Sequence, residues 1–66
     1  MEWGDIIKDR RSLLGVSQQD LADISGVSLR TIKIIESGGG NPSVTTLEKI
    51  GKVLGLELIY QIRNIG

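Results

Sequence analysis

The 66-residue chain contains no Cys and no His. Thiolate and imidazole nucleophiles, bases and metal ligands are therefore absent from its chemistry. Carboxylates, hydroxyls, Lys and Arg remain, all common on any protein surface. Carboxylates such as Asp20 and Asp23 suit helix capping and solvation better than acid–base work. The run Gly38-Gly39-Gly40 invites comparison with a phosphate-cradling loop, but it lacks the Lys-Ser/Thr of a P-loop and follows no strand. The more informative pair is Arg30 and Lys33, the only charges between Val27 and Ile35. A guanidinium presents forked donors to an anion or a pair of acceptors, and an ammonium presents a point charge. Taken alone, the two would be a solvated helix face. No candidate nucleophile has a base beside it, so the residues point to binding and away from an enzyme.

Eight basic residues balance eight acidic ones, for zero formal net charge. The molecule is thus no polycation that would coat nucleic acid indiscriminately, although a local patch can matter more than the total. Acid leads before residue 27, where Glu2, Asp5, Asp9, Asp20 and Asp23 outnumber Lys8, Arg10 and Arg11, and the sign changes after it. Leu, Ile and Val supply 22 residues, too many for a disordered chain, while the length suits one small domain. No apolar run approaches the ~18 residues of a membrane span, and the acidic, Trp-bearing start is unlike a signal peptide. The expected location is the cytoplasm.

Period and punctuation define the elements that must position these groups. A first helix runs from about Gly4 to Leu14, with Trp3, Ile6, Ile7, Leu13 and Leu14 on its apolar side. Gly15 ends it. Ser17 and Asp20 form a capping box before a second helix over Gln18 to Ser25, which buries Leu21, Ala22 and Ile24. Gly26 stops that helix. Ser28 caps a third helix over Leu29 to Glu36, with Ile32 and Ile35 inward. Ser43 or Thr45 caps a fourth, whose buried face is Leu47, Ile50 and Leu54, and Gly55 ends it. From Leu56 to Arg63 the period becomes two, with Leu56, Leu58, Tyr60 and Ile62 on one face. This reads as a strand with nothing in the chain to pair with. Pairing with the same strand of a second copy would satisfy its backbone, which predicts a homodimer. A fifth helix or a frayed tail is the alternative.

Within Gln18 to Ile35, small Ala22 permits close crossing of two helices, Gly26 turns the chain, and Ile32 and Ile35 fix the second helix against the first. This is the helix-turn-helix pattern. The chain here resembles the Xre/Cro-repressor-like helix-turn-helix family. The carrying residues are Ser17-Gln18-Gln19-Asp20-Leu21-Ala22, Gly26-Val27-Ser28, Thr31-Ile32, Ile35-Glu36, Gly38, Asn41-Pro42-Ser43 and Thr46-Leu47. The likeness covers roughly Trp3 to Leu56. It implies a mostly α, lambda-repressor-like domain of four to five helices, with residues 1–55 forming the helical part and 56–63 a dimerisation strand.

The same resemblance implies that Ser17 and Gln18 lie at a helix end facing a DNA phosphate. It puts Ser28, Leu29, Arg30, Thr31, Lys33 and Ile34 at recognition-helix positions, and it pairs Arg11 with Glu36 in a salt bridge between the first and third helices. Arg30 can take a guanine edge or a phosphate, and Lys33 either as a point charge. Ile34 is the odd member and is read as a contact to a thymine methyl, with a protein contact as the alternative. Leu29 is either on the outer face or partly buried. Trp3 and Tyr60 are read as core or dimer residues. Relatives often carry polar or basic residues where this chain has Ile34, Ser37 and Gly39, which predicts modest non-specific affinity.

The implied function is sequence-specific binding of double-stranded DNA at a palindromic operator by a dimeric repressor of its own operon. The terminal strand is similar to that of HipB-type antitoxin repressors, which implies a HipA-like kinase toxin as a further partner. A competing class is a protein-interaction adaptor on a helix-turn-helix scaffold that has lost DNA binding. No cofactor and no metal are implied.

Overall fold

In the computed structural model, which describes residues 3–59, three of the four helices begin at a serine. The helices are α1 (Trp3–Leu14), α2 (Gln18–Ser25), α3 (Leu29–Glu36) and α4 (Val44–Leu54). The Oγ atoms of Ser17, Ser28 and Ser43 accept the backbone N–H of Asp20, Thr31 and Thr46, at 2.9, 3.2 and 3.1 Å. Each satisfies a donor that the helix itself leaves open. Asp20 completes the capping box by accepting the Ser17 N–H at 3.4 Å. Of the two expected starts for α4, Ser43 is the cap. Gly26 and Gly55 close α2 and α4 at φ 75° and 70°, a left-handed backbone in which a Cβ is costly.

The core draws on every helix. Ile7 comes from α1, Leu21 and Ala22 from α2, Ile32 and Ile35 from α3, Ile50 and Leu54 from α4, and Val27 from the α2–α3 turn. Both α1 and α2 pack against both α3 and α4. Leu21, Ile32, Ile50 and Leu54 are fully enclosed, each burial contributing about 1.5–3 kcal/mol. Gly4 lets α1 lie directly on the end of α3. A Cβ there would collide with the Ile35 carbonyl oxygen and stand 2.9 Å from the Glu36 Cα.

Several apolar side chains expected inside are outside. Ile6, Leu13, Leu14 and Ile24 are exposed at 46%, 74%, 47% and 67%. The inward stripe of α1 is instead Gly4, Ile7 and the Arg10–Arg11 pair, spaced three to four residues apart. Two arginines occupy the last inward turn, so Leu13 and Leu14 fall outside it. On α2 the buried residues are Leu21 and Ala22, and Ile24 faces solvent.

Beyond Gly55 the Leu56 N–H donates to the Gly51 carbonyl at 2.9 Å, and Leu56 packs on the core. Leu58 and Ile59 are exposed. Among the described residues there is neither a strand nor a fifth helix. A strand is held by its ladder partner, and residues 3–59 offer none. Tyr60 and Ile62, the outer half of the expected strand, lie outside the described residues. No described helix is long and apolar enough to cross a membrane.

Candidate nucleic-acid interface

The α2–α3 unit is set by its interior. Leu21, Ala22, Val27, Ile32 and Ile35 belong to one cluster, so burying them fixes the crossing of the two helices and leaves the opposite face of α3 to solvent. At about 100° per residue, Arg30, Lys33 and Ile34 share that outer face, and all three are exposed. Leu29 and Thr31 are half-buried on the flanks, Leu29 against the core. This resolves the two readings of Leu29 in favour of partial burial. The Ser28 hydroxyl accepts from the Thr31 N–H and donates to the Thr31 Oγ1 at 2.8 Å, tying off the start of the helix.

Behind this face stands one carboxylate with three donors. Glu36 accepts from Arg11 through two parallel bonds, Nε to Oε2 at 2.9 Å and Nη2 to Oε1 at 3.0 Å. Its Oε1 also accepts the Gln18 Nε2 at 3.2 Å. The third guanidinium nitrogen, Nη1, donates to the Val16 carbonyl at 3.0 Å. The side chains are 15% and 4% exposed for Arg11 and Glu36. The hydrogen bonds to Glu36 raise the Arg11 pKa above its ordinary value, burial opposes this, and the charge of Glu36 reinforces it. The first residue of α2, the second half of α1 and the last residue of α3 are thus joined at one point. Gln18, expected to face a phosphate, has one amide hydrogen committed to Glu36.

Arg10 went unread in the sequence. Its Nε donates to the Leu54 carbonyl at 2.7 Å, satisfying an end of α4 that has no intrahelical partner. The available signal was its position three residues after Ile7, on the inward stripe. No cluster of potential metal ligands exists among the described residues.

The helix-turn-helix family pattern matches residues 7–61. An uncharacterized HTH-type transcriptional regulator of Methanothermobacter thermautotrophicus is 37% identical over 57 residues, covering 86% of this chain and 83% of that protein. A similar protein of Methanocaldococcus jannaschii is 40% identical over 52 residues, 79% of each chain. The HTH-type transcriptional regulator PuuR of Escherichia coli is 36% identical over 55 residues, which cover 83% of this chain but 30% of PuuR. No solved structure matches significantly. With its two crossed helices, its exposed α3 face and a match running nearly its whole length, the chain belongs to the Xre-like helix-turn-helix family of DNA-binding transcriptional regulators.

Proposed function

We propose that this protein is a dimeric repressor that recognises a palindromic operator, including that of its own operon. The carrying observation is the outer face of α3. Arg30 and Lys33 stand there without an ion-pair partner among the described residues, while the one acid of α3, Glu36, is buried against Arg11. A face with two uncompensated cations and no free anion suits the major groove. In this reading Arg30 and Lys33 contact base edges or phosphates, Ser28 and Thr31 flank them, and Ser17 and Gln18 approach the backbone. Leu29 sets the height of the helix.

Residues 1–55 act as the DNA-binding part and 56–63 as the dimerising strand, with Leu58, Tyr60 and Ile62 facing the second copy and Leu56, expected among them, holding the start of the strand to the core. Exposed Leu58 supports this, since it continues that face beyond the core with no cover from the described residues. Dimerisation would set two copies of α3 about 34 Å apart, one helical turn of DNA. The likeness of the sequence of the tail to that of HipB-type repressors extends the proposal to a HipA-like kinase partner, to be sought by co-purification with the product of the adjacent gene.

Fluorescence anisotropy with DNA from immediately upstream of the protein's gene, against scrambled DNA and at two salt concentrations, tests the operator reading. Tight binding of the native sequence that weakens steeply with salt is expected. The double variant Arg30→Ala, Lys33→Ala should lose binding by at least about tenfold while its thermal unfolding stays unchanged, each contact being worth roughly 1–3 kcal/mol. Equal, weak binding to both DNAs by the native protein would instead favour the adaptor reading.

A further inference from the structure

The outer face of α3 is not uniformly polar. Ile34 is 40% exposed and lies one turn after Arg30, beside Lys33. An exposed Ile alone is ordinary, but the chain that follows α3 folds back over this one. The Gly39 N–H and the Ser37 Oγ both donate to the Ile34 carbonyl, at 3.0 and 2.7 Å. Gly40, at φ 74°, comes so near that a Cβ on it would lie 2.9 Å from the Ile34 Cγ2. A Cβ on Gly39 would lie 3.6 Å from the same methyl. The glycine run therefore forms a backbone shelf against one side of Ile34. A β-branched side chain is already stiff at χ1, and the shelf restricts it further while the other side stays open.

We propose that Ile34, braced by Gly39 and Gly40, reads the 5-methyl group of a thymine in the operator. The inference rests on the operator-binding reading and names the chemistry recognised at one position of it. In the major groove thymine alone presents a methyl group. Guanine and adenine edges set against Ile34 would lose water from polar groups and gain no hydrogen bond, and cytosine offers only a C–H where thymine has its methyl. Bracing matters because a side chain already ordered gives up little freedom on contact. Arg30, on the same face one turn earlier, holds the helix in the groove while Ile34 discriminates.

The test begins with selection of bound duplexes from a randomised pool by the intact chain. Each thymine of the selected site is then replaced by deoxyuridine, which removes only the methyl, and binding is followed by anisotropy. One thymine per half-site should be sensitive, with about a fourfold loss for each methyl removed. Ile34→Ala should abolish that sensitivity and Ile34→Val should retain it. Unchanged melting curves for both variants show that the effect is not one of folding. A selected site with no deoxyuridine-sensitive thymine overturns the proposal and leaves the operator reading intact. Sensitivity that persists in Ile34→Ala also overturns it and makes Ile34 a protein contact. A pool that yields no enriched sequence refutes operator binding, and this inference with it.

Discussion

Glu36 ties α1, α2 and α3 together through a single carboxylate. Removing it leaves the Arg11 guanidinium mostly buried without its anion, and breaking such a pair by deleting one partner is far costlier than the pair is worth. Glu36→Ala is expected to destabilise the fold by about 3 kcal/mol, read as a lower urea midpoint with an unchanged slope. It should also free the Gln18 amide, so DNA affinity falls even where the protein is still folded. The contribution of Arg11 does not vary around neutral pH. Its pKa is raised in the folded state, so its stabilisation is fully present below the unfolded-state value and is lost only as pH rises through the still higher folded one. A stability profile that is flat in this contribution from neutral to mildly alkaline pH follows.

Among the elements, α1 and α3 meet where no side chain intervenes. Gly4→Ala would drive a methyl into the Ile35 carbonyl and the backbone of Glu36, neither of which can swing aside. The expected cost is about 2–3 kcal/mol, at the upper end of overpacking, and circular dichroism melts would register it. Much of this helical frame was legible beforehand. Ser17, Ser28, Gly26 and Gly55 mark helix ends by local hydrogen bonding and backbone freedom, effects that act within a few residues and so are written locally. What periodicity could not assign was the occupant of the inward stripe of α1. Apolar spacing counted Leu13 and Leu14 and passed over Arg10 and Arg11, because an arginine turns inward only when a distant acceptor awaits it. Those acceptors, Leu54 and Glu36, lie 44 and 25 residues away in the chain. Ile24 was misjudged for the converse reason, since its apolar character did not bring it a neighbour. The shared outer face of Arg30, Lys33 and Ile34 was readable as positions on a helix, whereas the approach of Gly40 to Ile34 depends on a loop path that no local pattern encodes.

For the whole molecule, the proposed dimer turns two weak half-site contacts into one strong one. Linking the copies makes the second binding event effectively intramolecular, and avidity gains of about 100-fold or more follow. A chain ending after Ile59 keeps every described core contact. It should fold, run as a monomer by light scattering, and bind operator DNA at least about 100-fold more weakly. A truncated chain that still forms a dimer would move the interface away from residues 60–66. The triple acceptance at Glu36 also has a consequence for inheritance. Because one carboxylate serves α1, α2 and α3 together, a lineage that loses it is left with a stranded guanidinium until position 11 changes too. Arg11 and Glu36 should therefore be gained and lost together among descendants, while Arg30, Lys33 and Ile34, which carry no such debt to the interior, are free to drift as operators diverge.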